Sequence, residues 1–263
     1  MKQARVAILR TAGTNCDKET AFAFSLVGAE TDFVHINEFV KKKKRLSDYQ
    51  ILTLPGGFTY GDDIASGKIL ANEIRYNLGA DVEKFISDGK LILGICNGFQ
   101  ILVKMGLLPA LNGHLWETNV TLNLNDSAKF EDRWCYLKPA AGNRCVWTKG
   151  ISEIIYLPVA HGEGKFIPAS SAVLKELKED KQVVFRYCRE DGKKPEYPDN
   201  PNGSVDDIAA ISDSTGRILG MMPHPERYVR MTKHPRWTRD RLRKEGDGLS
   251  VFRNGVKFAE NNL

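Results

Sequence analysis

At 263 residues, with 42% hydrophobic and 27% charged residues, the chain has the make-up of a soluble globular protein with a sizeable core. A formal charge of +5 is compatible with an anionic substrate or an acidic partner and does not require nucleic acid. The five cysteines form no C-x-x-C pair, which argues against a disulfide framework or a zinc site, and no stretch approaches membrane-spanning length, so a reducing cytoplasm is the expected setting.

Residues 5–9 read as a first strand, followed by a loop at Gly13 and Asn15 and a helix running to Gly28. Residues 31–36 are a second strand, and 51–54 a third that ends in Pro55-Gly56-Gly57. Helical spacing covers residues 68–88 with a break near Gly79, and residues 91–95 form a fourth, fully apolar strand. Strands alternating with helices in this way predict an α/β fold with a doubly wound, mostly parallel sheet. Ligands in such sheets bind beyond the carboxyl ends of the strands.

From Asn119 onward the pattern changes to alternation, at residues 120–124, in parts of 134–147, and at 183–189. These predict antiparallel additions in the C-terminal half. The turn-rich stretch 191–204 should be an exposed loop, and residues 208–211 and 218–222 flank a hairpin turn at 213–216. Residues 248–261 read as a last helix. No repeat or long linker divides the chain, so residues 1–263 are expected to form one domain.

Cys96 lies between the fourth strand and the helix that follows, in LILGICNGFQIL (91–102). Gly94 and Gly98 relieve the turn of side-chain clashes, the arrangement of a nucleophile elbow with sulfur in place of oxygen. A helix start also favours negative charge on the sulfur. The alternative is a cysteine that is simply a small buried hydrophobe. His224, bracketed by Pro223 and Pro225, is a candidate base, and Glu226 two residues on is placed to hold its far N–H; a plain turn histidine is the alternative. Gly56 and Gly57 are either a simple turn or a source of unhindered backbone N–H groups for an oxyanion, together with the N–H of Asn97.

No metal is expected on this chain, because the five histidines are scattered and H-E-x-x-H is absent. The stretch from Gly61 to Lys68 resembles a P-loop only superficially: its spacing is one residue too long, and Ile69 stands where Ser or Thr would bind magnesium. The five consecutive cations from Lys41 to Arg45 are a solvated surface or a docking patch, without the aromatic interleaving that nucleic acid would favour.

Four motifs occur together in this order: LPGGFTYGDD (54–63), GICNGFQIL (94–102), AHGEGKF (160–166) and GMMPHPER (220–227). With them the chain resembles the triad-type class I glutamine amidotransferases, and more narrowly the glutaminase subunits of phosphoribosylformylglycinamidine synthase. The resemblance runs from Val6 to about Arg227 and over the last helix. It implies a flavodoxin-like sheet, with Cys96 as nucleophile, His224 as base and Glu226 as its orienter. It implies oxyanion N–H groups from Gly57 and Asn97, and glutamine contacts from Gln100 and from the region of His161 and Gly162, where a surface turn is the alternative.

By the same resemblance, the chain binds no cofactor itself. ATP and magnesium belong to an ATP-dependent synthetase partner, with a small bridging subunit as a further possible member of the complex. Residues 193–204 and 229–247 look longer than in the shorter family members, the second a basic, decorated loop or a docking surface. A partner of another synthetase would more typically carry G-G-P-x-S where this chain has G-G-F-T-Y. A non-catalytic flavodoxin-like module with a redox-sensing Cys96 is the rival from a different class, and the pairing of His224 with Glu226 counts against it.

Overall fold

The structure, a computed structural model, describes residues 3–62, 64–240 and 244–263. The first half contains β1 (Arg5–Arg10), α1 (Asp17–Ser25), β2 (Glu30–His35), α2 (Ile36–Val40), β3 (Ile51–Leu54), α3 (Lys68–Ser87), β4 (Leu91–Ile95) and α4 (Asn97–Met105). The second half contains β5 (Val120–Leu124), β6 (Glu131–Pro139), β7 (Ile155–His161), β8 (Glu163–Pro168), α5 (Ser171–Glu179), β9 (Val183–Cys188), β10 (Ile208–Ser212), β11 (Ile218–Met221) and α6 (Leu249–Asn262).

Among the described residues, nine strands form one sheet in the order β2-β1-β3-β4-β11-β10-β9-β6-β7, and β5 pairs separately with β8. The run β2-β1-β3-β4-β11 is parallel throughout, and the strands beyond it are antiparallel. β3, β4 and β11 are buried at every residue. That is why they read as continuous apolar runs: strands covered on both faces have no solvent side to alternate with. The chain moves outward from β1 to β2 and in the opposite direction from β3 to β4, so right-handed crossovers place α1 and α3 on opposite faces. On one of them α1 meets α6, where Phe24 and Phe252 make an edge-on contact with centroids 4.9 Å apart.

Two sequence expectations are corrected. α3 runs unbroken through Gly79, because Leu70, Ile74, Leu78, Val82 and Phe85 form one buried stripe whose packing outweighs a single glycine's cost of about 1 kcal/mol. The 191–204 loop is not wholly exposed: Asn202 and Ser204 are buried, and Asn202 Nδ2 donates to the Tyr187 hydroxyl at 3.2 Å. The 229–247 segment is also anchored. His234 is buried against Trp134, Tyr156 and Tyr228, with ring centroids 5.5–5.8 Å away, while Trp237 is exposed. Arg241, Leu242 and Arg243 of its basic stretch lie outside the described residues, as does Asp63 of the F-T-Y-G-D-D motif.

In the cationic run, Lys44 Nζ bonds Asp32 at 2.8 Å and Arg45 lies 3.3 Å from Asp48. Part of its charge is thus satisfied within the chain.

Candidate active site

The loops leaving the carboxyl ends of β1, β3, β4 and β11 converge, the location expected for a ligand site in an open parallel sheet. Cys96 directly follows β4 and opens α4 with φ 51° and ψ −105°. For a residue with a side chain this region costs roughly 1–3 kcal/mol, so the surroundings must hold it. They do so through the Cys96 N–H, which donates to Met221 O at 2.8 Å, and through two close backbone approaches. A methyl group at Gly94 would lie 2.5 Å from Leu102 Cδ1 and 2.7 Å from Gly98 O, and one at Gly98 would collide with the Leu54 carbonyl. The two glycines of the elbow are therefore required by contact as well as by turn geometry. The Cys96 thiol donates to Ala160 O at 3.6 Å, at the wall formed by β7.

His224 follows β11, its N–H donating to Pro158 O at 2.8 Å. Pro225 opens the short turn Pro225–Arg227 that swings Glu226 back toward the ring. His224 Nδ1 lies 2.6 Å from Glu226 Oε1, and both side chains are buried. A carboxylate oxygen can only accept, so the proton belongs to Nδ1 and leaves Nε2 free. Nε2 is indeed buried without a hydrogen-bond partner among the described residues. Burial of the ring opposes its charge, but the charges of Glu226 and Cys96 outweigh it and hold the imidazole well above its ordinary pKa of 6.5. The site is built to stabilise an imidazolium next to the sulfur.

A pocket of about 190 Å³ opens over Cys96, lined among others by Gly57, Phe58, Asp62, Gln100, Phe130, His161, Gly162 and Glu163. A larger cleft of about 1020 Å³ between residues 139–152 and α6 holds none of the triad. Of the residues singled out from the sequence, Cys96, Gly57, Gln100, His161 and Gly162 thus meet at one pocket.

Several of the expected roles change. Gly56 packs against His224 and does not line the pocket: a methyl group there would lie 2.9 Å from the ring's Cε1 and 3.1 Å from Cys16 Sγ. The Gln100 amide donates to Glu163 O at 2.6 Å and accepts from Asn97 Nδ2 at 2.9 Å. The Asn97 carboxamide also accepts from the Thr59 hydroxyl at 2.8 Å, tying the 59–62 loop to α4, while its backbone N–H is among those a helix start leaves unpaired.

His161 is not a surface turn residue. Its Nδ1 meets Asn125 Oδ1 at 3.1 Å and its Nε2 meets Asn202 Nδ2 at 3.4 Å, so its ring offers no free polar atom to a ligand. Burial, and secondarily the charge of His224, push its pKa down to about 4. In A-H-G-E-G the two glycines differ. Gly164 leaves room for the His161 ring, whereas Gly162 faces open space.

Four contributors escaped the sequence reading. Asn125 and Asn202 hold His161. Asp62 accepts from Ser66 Oγ at 2.9 Å and from the Gly67 N–H at 3.3 Å, which places a carboxylate where a P-loop would hold phosphate. Cys16 caps the start of α1, after the loop that leaves β1, and sits beside the triad. Cys16, His224 and Glu226 are the described residues whose ligand atoms lie close enough to hold a metal, within 4.8 Å of one another. His224 Nδ1 is taken by Glu226 Oε1 and Cys16 Sγ accepts from the Arg227 guanidinium at 3.2 Å, leaving His224 Nε2 and Glu226 Oε2 without hydrogen-bond partners among the described residues. A cation there would face an arginine.

Comparison with known proteins places the chain in a family. Residues 3–259 match the CobB/CobQ-like glutamine amidotransferase domain. The chain is 51% identical to the phosphoribosylformylglycinamidine synthase subunit PurQ of Dehalococcoides mccartyi, over 98% of this chain and 99% of that one. It is 44% identical to the PurQ subunit of Methanococcus maripaludis, over 97% of both. A chain of the Thermotoga maritima PurLQS structure superposes with a TM-score of 0.73 at 30% identity, covering 98% of this chain and 99% of that one. A more distant glutamine amidotransferase of the same organism, 14% identical with a TM-score of 0.51 over 99% of this chain and 94% of that one, shares the fold. The chain belongs to the CobB/CobQ-like glutamine amidotransferase family, within its phosphoribosylformylglycinamidine synthase PurQ subunits.

Proposed function

We propose that this chain, as a single domain, hydrolyses glutamine and delivers ammonia to an ATP-dependent synthetase subunit that converts phosphoribosylformylglycinamide to its amidine. The observation that carries the reading is a strained Cys96 whose side chain and charge act on the ring of the buried His224–Glu226 pair. In the reaction, Cys96 Sγ attacks the side-chain carbonyl carbon of glutamine and its proton passes to His224 Nε2. The backbone N–H groups of Gly57 and Asn97 are assigned to the developing oxyanion. Collapse of the tetrahedral species breaks the C–N bond, and the imidazolium protonates the departing nitrogen, leaving a γ-glutamyl thioester. Water then attacks the thioester while His224 takes its proton, releasing glutamate and restoring the thiol.

Gly57 and Gly162, at the pocket wall, are assigned to the bound glutamine; Gln100 and His161 line the same wall and are held there by Glu163 and Asn125. ATP and magnesium are assigned to the synthetase partner, and the chain needs no cofactor of its own. The Thermotoga maritima PurLQS structure supports a heteromeric complex, to which a small bridging subunit is assigned as a further member. A cytoplasmic setting is assigned with the same complex; among the described residues no helix is long and apolar enough to cross a membrane. A diazoketone analogue of glutamine tests the assignment. It should add a single adduct on the Cys96 peptide and none to Cys96→Ala; labelling elsewhere would refute the nucleophile.

A further inference from the structure

Cys16 is buried at the N-cap of α1, and the nucleophilic mechanism does not use it. Its surroundings are nevertheless built around the base. The sulfur donates to Asn15 Oδ1 at 3.1 Å and accepts from Arg227 Nη2 at 3.2 Å. The space left by the missing side chain of Gly56 is bounded by Cys16 Sγ on one side and by His224 Cε1 and Nδ1 on the other. Cys16 Sγ and a Glu226 carboxylate oxygen lie within 4.8 Å of each other. Glu226 Oε2 is buried without a hydrogen bond among the described residues. Arg227, the neighbour of Glu226 in sequence, also pairs with Glu19 of α1 at 3.3 Å.

A buried carboxylate oxygen without a partner, one residue from an arginine, is an unusual arrangement, since the guanidinium fork matches a carboxylate so well. The Arg227 guanidinium donates to Cys16 Sγ instead. We propose that Cys16 is a positioning residue for the general base: its thiol holds the Arg227 guanidinium away from Glu226, so that the carboxylate's charge stays committed to His224.

The energetic logic is direct. An imidazolium at His224 depends on Glu226, and the other charged or titratable groups around it are Cys96, Cys16, Arg227 and the neutral His161. A guanidinium that closed onto Glu226 would neutralise the one carboxylate that stabilises the ring's positive charge. The base would then be weaker at the moment it must take the Cys96 proton. Removing the sulfur leaves a gap that the flexible Arg227 side chain can fill. A serine, smaller but able to accept from Arg227 and donate to Asn15, should preserve the separation.

The kinetic part of the test rests on the glutaminase reading, whereas ring titration does not. In complex with the synthetase subunit, Cys16→Ala should lower kcat for glutamine roughly tenfold with KM changed less than about twofold, as expected for a weakened base and not a damaged pocket. By nitrogen-15 NMR its His224 ring should titrate at a lower pH than in the wild type. Cys16→Ser should recover most of both losses. In the double variant Cys16→Ala with Arg227→Gln, where no guanidinium is left to intrude, His224 should titrate close to the wild-type value. An unshifted His224 titration in Cys16→Ala overturns the inference, and so does a double variant no better than the single one. If the wild-type complex itself shows no glutaminase activity, the failure belongs to the functional reading and not to the role of Cys16.

Discussion

His224 Nδ1 lies 2.6 Å from Glu226 Oε1 with the pair shut away from solvent, and this contact decides which ring nitrogen can act as the base. With Nδ1 committed as a donor, Nε2 is the acceptor. The carboxylate fixes both the tautomer and the charge of the ring.

Replacing that carboxylate should therefore weaken the base without removing it. Glu226→Gln should bring the His224 titration down and lower kcat on the order of 10⁴-fold, while His224→Ala should cost roughly 10⁶-fold. Both variants should fold, because neither side chain belongs to the apolar core. Nitrogen-15 NMR of the ring and steady-state glutaminase assays measure the two effects. Equal losses in both variants, with native circular dichroism, would give Glu226 a more direct part in the chemistry.

The two buried histidines predict opposite pH dependences of stability. His161 has its pKa pushed down to about 4 in the fold against 6.5 ordinarily, so the unfolded chain binds more protons between those values. Its contribution is complete above about pH 6.5 and disappears as pH falls toward 4, amounting to roughly 3 kcal/mol. His224 is raised, so its contribution is complete below about pH 6.5 and is lost as pH rises through its folded value. Urea midpoints of His161→Gln should accordingly fall less steeply than the wild type's between pH 6.5 and 4. An identical slope would mean that His161 does not control acid sensitivity.

The glycines of A-H-G-E-G should separate cleanly by substitution. Gly164→Ala places a methyl group onto the His161 ring and should destabilise the protein by about 1–3 kcal/mol, the usual cost of overpacking. Gly162→Ala meets open space, so its melting temperature should be nearly unchanged while KM for glutamine rises. A large stability loss in Gly162→Ala would show that this turn is tighter than the geometry indicates.

Gly79→Ala should stabilise the protein by about 0.5–1 kcal/mol, since the position is helical and a methyl group there would come no nearer than 3.8 Å to the Trp116 ring. Chemical denaturation measures this directly. Destabilisation would mean that the glycine marks a real irregularity in α3.

What was legible in the sequence was local. β3, β4 and the elbow at Cys96 follow from short apolar runs and two glycines, and the His224–Glu226 pair from a spacing of two residues. What was not legible was held by partners far along the chain. His161 reads as a surface turn until Asn125 and Asn202, 36 and 41 residues away, are seen to take both its ring nitrogens. Cys16 reads as one more free thiol until Arg227, 211 residues on, is found against its sulfur. His234 similarly turns a basic segment into an anchored one through aromatic neighbours on β6 and β7. In α3 the misreading had another source: glycine's weak helix propensity was given more weight than the buried stripe that runs through it.

The most direct test of the account is to give the reconstituted complex two nitrogen sources. With Cys96→Ala, glutamine-dependent formation of the amidine should fall by 10⁴-fold or more on the order expected for loss of a triad nucleophile, while turnover with ammonium salts should match the wild-type complex. Retained glutamine-dependent synthesis, or loss of the ammonium-dependent reaction in an intact complex, would contradict the assignment of glutamine hydrolysis to Cys96 in this chain and of synthesis to its partner.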